Sequence, residues 1–254
     1  MNTLQIEYKN DFAIVRINNG KVNAISSQLS ADIRDTFLQL EKEEKVKGLM
    51  LTGRPHCFSA GLDVMELATG TKEDLKQFWV NYLQALQAMV RFSKPFVCAI
   101  TGFAPAGGTI YALCADYRVM ARGEKHVIGM HEFKMSMQIP EMLCDIYAYV
   151  LGEKRAWESI QNARLFDSDQ ALKIGLVHQS EEVEAVEPEA EKQLLKLMRV
   201  YAPVYKKSKG YFRKGLLKIV DRDITAMVEE IASSWDDPFV RQSMELFLAS
   251  LKKK

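Results

Sequence analysis

The stretch from Phe96 to Ala115 carries no formal charge and is about long enough to cross a bilayer, so it belongs either in a membrane or in a protein core. Gly102, Pro105, Gly107 and Gly108 fall in its middle and decide between the two. Proline removes a backbone donor and clashes with a helical turn, and glycine weakens a helix interior. The stretch is therefore expected to divide into a strand, a loop and a helix start within a buried region, with no membrane partner. The 254 residues, 48% of them hydrophobic, suffice to build one sizeable core around it. No linker, low-complexity tract or repeat splits the chain.

Charge and cysteine usage exclude several function classes. Lys plus Arg number 34 and Asp plus Glu 33, a formal charge of +1 that supplies no field for nucleic acid, and no Arg/Lys stripe interleaved with aromatics appears. Any anionic ligand must be held locally. Cys57, Cys98, Cys114 and Cys144 are far apart, without a CxxC pair or histidines at ligand spacing. No metal site and no disulfide framework are expected, and a reducing cytoplasm suits the chain. The segment Met1 to Tyr8 alternates apolar and polar residues and reads as a first strand rather than a leader.

Along the chain, Leu4–Tyr8 and Phe12–Ile17 should form a hairpin about Asn10-Asp11. Ser26 or Ser27 caps a helix with apolar Leu29, Ile33, Phe37 and Leu40, closed by the charged run Glu41 to Lys47. Gly48–Thr52 and Lys94–Thr101 read as apolar strands. Between them, Lys72–Phe92 places Leu75, Phe78, Trp79, Tyr82, Leu83, Leu86, Met89 and Val90 at helical spacing, which marks those aromatics as core. Further on, Glu153–Ala163 is helical, and Ser168 caps a short helix ending at Gly175 before a strand at Leu176-Val177. Helices continue from about Pro188, broken at Ala202-Pro203, Gly210 and Gly215. Lys252-Lys253-Lys254 reads as a frayed end.

Three local features carry chemistry: Phe58-Ser59-Ala60-Gly61-Leu62-Asp63 after one strand, Pro105-Ala106-Gly107-Gly108 after another, and Gly129-Met130-His131-Glu132 after the apolar Val127-Ile128. Small residues in the first two loops let a ligand oxygen approach main-chain N–H groups, and a helix starting near Gly108 adds its positive dipole end. Neither loop matches the P-loop or dinucleotide glycine fingerprint. His56 and Cys57 are neighbours in sequence and read as structural rather than as a catalytic pair.

Taken together, and with Lys21-Val22-Asn23-Ala24-Ile25, Cys114-Ala115-Asp116-Tyr117-Arg118 and Ala171-Leu172-Lys173-Ile174-Gly175-Leu176-Val177, these features resemble the enoyl-CoA hydratase/isomerase (crotonase) family over nearly the whole chain. The resemblance implies an α/β fold, a crotonase-like spiral of ββα units over residues 1–195. A helical trimerisation region over 196–254 is implied to build a homotrimer or hexamer. It also implies an acyl-CoA thioester as substrate, with no resident cofactor and no metal. Carried over position by position, the N–H groups of Ala60 and Gly107 bind the thioester oxygen. Ala60, Gly61, Leu62 and Asp63, with Gly107 and Gly108, line the bound ligand. Lys21 sits where the family approaches the nucleotide and is equally a solvated surface lysine.

Hydratases of this family resemble one another in carrying two glutamates. Here the first position holds Ile110 and the second holds Glu132, in a run similar to mitochondrial-type Δ3,Δ2-enoyl-CoA isomerases. One carboxylate serves a proton shuttle, which implies a 1,3-hydrogen shift from a 3-enoyl-CoA to a 2-enoyl-CoA, as in fatty-acid β-oxidation. Ile110, Trp79 or Met137 would supply apolar walls that exclude water. His131 replaces a small polar residue and either contacts substrate, tunes the acid or lies outside the pocket. Ser136 replaces a glycine common in the family, and Ala106 the first glycine of the hydratase loop. Two rivals remain: hydration or another acyl-CoA reaction with Glu66, Glu73 or Glu141 as second acid, and a silent CoA-binding protein.

Overall fold

A computed structural model describes residues 3–235 and 237–251. The chain opens with the hairpin β1 (Leu4–Lys9) and β2 (Phe12–Ile17), paired antiparallel from Leu4↔Ile17 to Lys9↔Phe12. Its turn is made possible by Asn10 at φ +54, a left-handed conformation that asparagine tolerates. Helix α1 (Ser27–Lys42) follows, capped by Ser26, whose hydroxyl accepts the Leu29 N–H at 3.0 Å. Next come β3 (Gly48–Thr52), the short β4 (His56–Cys57), α2 (Val64–Thr69) and α3 (Lys72–Arg91), the last begun by a Thr71/Asp74 capping box. The uncharged stretch becomes β5 (Phe96–Ile100), β6 (Gly102–Pro105) and α4 (Gly107–Leu113), followed by β7 (Tyr117–Ala121) and β8 (Ile128–Gly129).

The strands form two sheets. The larger runs β1-β2-β3-β5-β7-β9, parallel after the hairpin, with β9 at Gln179–Glu181 on its edge. The central strands β2, β3, β5 and β7 are covered on both faces, which is why they read as near-continuous apolar runs. Phe12, Ile14, Met50, Val97, Ala99, Val119 and Ala121 face α8 (Val183–Met198) through Val186, Ala190 and Leu194. The alternate residues Ala13, Val15, Leu49, Leu51, Cys98, Ile100 and Met120 face the main core, where α1 packs on α3. The smaller sheet is β4-β6-β8, all parallel. Each middle strand of the large sheet feeds one of these short strands, which then feeds a turn or helix, and so generates the ββα repeat.

Thr109 in α4 locks the small sheet's end. Its buried hydroxyl donates to Ala104 O at 2.7 Å and accepts the Gly129 N–H at 2.8 Å, tying β6 to β8.

The rear of the chain is helical: a 3-10 turn (Glu132–Met135), α5 (Glu141–Leu151), α6 (Glu153–Gln161) and α7 (Ser168–Ile174), then α8 to α12. The last four are α9 (Ala202–Phe212), α10 (Lys214–Val220), α11 (Thr225–Ser234) and α12 (Pro238–Leu251). Asp116, just before β7, anchors α9. Its carboxylate meets Lys209 Nζ at 2.7 Å and Arg213 Nη1 at 3.2 Å, and accepts from Tyr205 O–H at 3.0 Å and Phe96 N–H at 2.9 Å. Burial lowers the Lys209 ammonium to about 8 against the opposing pull of Asp116.

Several expectations shift. Residue 195, where the core is expected to end, lies inside α8, and Leu216, Val220, Ile231, Trp235 and Met244 join the same core as the front half. Pro188 lies within α8 rather than opening the helical region, and Gly210 and Gly215 lie inside α9 and α10, with the break at Arg213. Asp167, not Ser168, caps α7. The strand after Gly175 is Gln179–Glu181, because that segment, not Leu176-Val177, reaches register with Val119–Ala121. The loop expected between β5 and α4 is itself β6. Met1, Asn2 and Lys252 to Lys254 lie outside the described residues.

Replacing Thr109 by Val keeps the volume but leaves the buried Gly129 N–H without an acceptor, and is expected to lower unfolding free energy by about 1–3 kcal/mol. Denaturant midpoints at constant m-value will check it.

Candidate active site

The three strands of the small sheet end side by side, and the segments leaving them converge on one cavity of about 380 Å³. From the first come Ala60, Leu62, Asp63, Val64 and Met65, from the second Ala106, and from the third His131, Glu132, Met135 and Met137. Val22, Ala24, Phe103 and Leu248 complete the lining, which is apolar apart from His131, Asp63 and Glu132.

Main-chain geometry at the first two segments is unusual. Gly61 has φ +86 and Ala106 φ +53 with ψ −122, and each immediately precedes an amide, Leu62 and Gly107 respectively, that has no acceptor among the described residues. For alanine this conformation costs on the order of 1–3 kcal/mol. The two loops touch: a Cβ on Gly61 would lie 3.1 Å from Ala106 Cβ and 3.6 Å from Gly107 N, and one on Gly107 would lie 2.8 Å from Leu62 Cδ2. Tyr82, buried in α3, donates its hydroxyl to Gly107 O at 3.2 Å and so fixes the start of α4. Ala60 differs from expectation. Its N–H already donates to Val22 O at 3.0 Å, so it ties the loop to the Lys21–Ile25 segment instead of offering a free donor.

Glu132 opens the 3-10 turn, which the Met137 N–H closes on Glu132 O at 3.2 Å. Ser136 sits in the left-handed region at φ +53, a conformation glycine takes without strain. The glutamate is only 5% exposed, and Oε2 has no hydrogen-bond partner. Burial raises its carboxyl from an ordinary 4.5 to about 7, while the backbone N–H groups of Glu132 and His131 pull the other way. It is therefore a proton acceptor poised near neutral pH.

Other expected site residues fall into two groups. Asp63 lines the cavity, but its Oδ1 caps α2 by accepting the Met65 and Glu66 N–H groups at 3.1 Å each. His131 lines it too. Gly107 and Gly108 lie buried behind the lining, and Lys21 is exposed on the turn leading to Val22. Of the proposed walls, Met137 faces the cavity, whereas Ile110 and Trp79 are in the core. Glu66 accepts the Ser27 N–H, Glu141 pairs with Arg222 at 3.0 Å, and Glu73 is exposed, so none of the three faces the cavity. His56 Nδ1 meets His126 Nε2 at 3.2 Å, and burial raises the Cys57 thiol, so the two do not form a catalytic pair. Sequence reasoning missed Phe103 and Leu248, which reach the cavity only through sheet and helix packing and carry no local signal.

Residues 7–253 match the enoyl-CoA hydratase/isomerase family. Mitochondrial enoyl-CoA delta isomerase 1 of Mus musculus is 28% identical over 243 residues, covering 95% of this chain and 84% of that protein. A crotonyl-CoA hydratase of Syntrophomonas wolfei is 22% identical over 249 residues, covering 97% and 95%. The crystal structure of human mitochondrial Δ3-Δ2-enoyl-CoA isomerase superposes with a TM-score of 0.95 at 26% identity, over 99% of this chain and 98% of that one. An enoyl-CoA hydratase from Bacillus halodurans gives 0.88 at 17% identity, which shows the shared fold.

A carboxyl whose folded-state value is raised from 4.5 to about 7 contributes stability that is complete below pH 4.5 and gone once pH passes about 7. Wild-type stability should accordingly fall by on the order of 3 kcal/mol across that interval from this group. Glu132→Gln should remove that slope and unfold at higher denaturant than wild type at pH 8. Parallel wild-type and variant curves between pH 5 and 8 would contradict the burial of the acid.

Proposed function

Because the chain belongs to the enoyl-CoA hydratase/isomerase (crotonase) family, a family of acyl-CoA enzymes, we propose that it is an isomerase moving a double bond from C3 to C2 of an enoyl-CoA. One observation carries this reading. Among the described residues the lining holds two acids: Asp63 caps α2 through Oδ1, whereas Glu132 is buried with Oε2 unpartnered, and Ile110, at the position of a second hydratase acid, is itself in the core. Orienting a water and protonating carbon calls for two groups, whereas a shuttle between neighbouring carbons calls for one.

In the proposed step, the Glu132 carboxylate removes a proton from C2 of the 3-enoyl thioester. The electron pair delocalises through the double bond and onto the thioester oxygen. That oxygen is held by the Leu62 and Gly107 N–H groups, the two free amides presented by Gly61 and Ala106; Leu62 replaces Ala60 in this role because Ala60 is bonded to Val22. Donors fixed in advance lower the barrier because they need no reorganisation as charge appears. Protonated Glu132 then delivers its proton to C4, giving the conjugated 2-enoyl-CoA with no net change of atoms. The apolar walls Leu62, Phe103, Met135, Met137 and Leu248 keep water from the dienolate. No resident cofactor or metal enters this step.

In this reading the CoA moiety extends toward Lys21, which is exposed on the turn next to the lining residue Val22. Assembly into a homotrimer or hexamer is supported by α9 and its N-cap residue, which leave Tyr201, Val204, Tyr211 and Phe212 exposed. A reducing, cytoplasmic setting suits the four free cysteines.

Steady-state assay of a 3-enoyl-CoA against the matching 2-enoyl-CoA tests the reading. Isomerisation should dominate, Glu132→Gln should lower kcat about 10³-fold with acyl-CoA binding retained, and wild-type kcat/KM should climb as pH passes about 7. Rapid hydration with negligible isomerisation, or full activity in Glu132→Gln, would overturn it; binding of acyl-CoA without turnover would point to a silent binding protein.

A further inference from the structure

The Leu62 N–H can hold a thioester oxygen only if the peptide that carries it is fixed in direction. A trans peptide sets its N–H and C=O on opposite sides. Gly61 O accepts the Ile25 N–H at 2.8 Å, and the Asp63 N–H donates to Ile25 O at 2.9 Å, a parallel bridge that brackets Leu62. The Leu62 N–H therefore points away from Ile25, and it has no acceptor among the described residues.

A side chain sets the other end of Gly61. The buried Ser59 hydroxyl accepts the Gly61 N–H at 3.1 Å and donates to Asn23 O at 2.8 Å. A serine bonded to the backbone two residues on closes a local turn, and here the turn contains the residue whose φ of +86 aims the next peptide. Asn23 is held in its turn: it is buried, and its side-chain amide donates to Cys57 O at 3.3 Å and Phe58 O at 3.1 Å while accepting the Asn19 N–H at 3.0 Å. Ser59 also touches the second loop. A Cβ on Gly108 would lie 3.1 Å from Ser59 Cβ, so the serine stands against the helix start whose first amide is that of Gly107.

We infer that Ser59 is a positioning residue for the oxyanion-binding amides: its hydroxyl, clamped between Asn23 O and the Gly61 N–H, aims the Leu62 N–H, and its packing on Gly108 keeps that donor in register with Gly107. This inference rests on the oxyanion role proposed for Leu62 and Gly107 and names the group that maintains it. Ser59 is not part of the cavity lining. Its removal should therefore be felt where charge gathers on the thioester oxygen, in the transition state, and little in ground-state binding.

Ser59→Ala removes the hydroxyl without adding volume. With 3-octenoyl-CoA, kcat should fall about 10- to 100-fold while KM stays within about threefold of wild type. The thioester C=O stretch of bound octanoyl-CoA, labelled with carbon-13 at the carbonyl, should move to lower frequency on wild type, because the two donors polarise it, and should move less on Ser59→Ala. Ser59→Cys, close in size with a weak S–H donor and a weak sulfur acceptor, should fall between the two and carries the test if the alanine variant does not fold. Wild-type kcat with an undiminished C=O shift in Ser59→Ala, or in Ser59→Cys should it alone fold, overturns the inference whatever the denaturation midpoint, and leaves the isomerase reading standing. If wild type neither isomerises 3-octenoyl-CoA nor shifts the band, the oxyanion reading fails and the inference falls with it.

Discussion

Everything at the site depends on three very short parallel strands stopping at the same edge. β4 and β8 contribute two residues each and β6 four, too few to be stable alone. They persist because each is drawn from a strand of the large sheet that is buried on both faces, and because Thr109 spans β6 and β8 with one hydroxyl. Parallel pairing requires the chain to return to the same end each time, so the three departing segments must lie together. In this way the packing of the large sheet places Leu62 and Glu132 in the lining of one cavity, with Gly107 behind it, although they are far apart in sequence.

The site then holds features that oppose stability. Ala106 occupies a backbone region suited to glycine, Ser136 a left-handed one, and Glu132 is buried with an oxygen that nothing satisfies. Each alone costs on the order of a kcal/mol or more. They are tolerated because the surrounding structure leaves no alternative: Gly61 presses on Ala106, Tyr82 holds Gly107 O, and the 3-10 turn is closed by Met137. Strain at 106 and at Glu132 has the same effect on chemistry. It leaves donors and an acceptor unpaired among the described residues.

Much of this was legible in the sequence where a physical signal is local. The hairpin, α1, α3 and the apolar strands followed from periodicity and caps, and the three loops stood out by small residues and an acid after apolar runs. The small sheet did not, because a two-residue strand has no periodicity and β6 looks like the loop that its Gly and Pro suggest. The sequence does not show that the Ala60 N–H is occupied, since composition reveals bare backbone but not where each N–H points; its acceptor, Val22 O, comes from a different segment. Ile110 and Trp79 were apolar, as a wall should be, yet only packing decides whether an apolar side chain faces a cavity or the core.

The C-terminal helices illustrate the same limit and show why the front half is not a site by itself. Leu248 of α12 lines the cavity, and α12 packs on α2 and on the turn that carries Glu132. The position of α12 depends in turn on the preceding helices: α10 and α11 pack on α3 and α5, and α9 is fixed at its base by Lys209 and Arg213 on Asp116, beside the first residue of β5. Removing one partner from such a buried cluster strands the other charges, at about 3–5 kcal/mol. The ion cluster is thus connected to the cavity through rigid helices rather than through contact. It sits beside the first residue of β5, the strand whose other end continues into β6 and so sets Gly107.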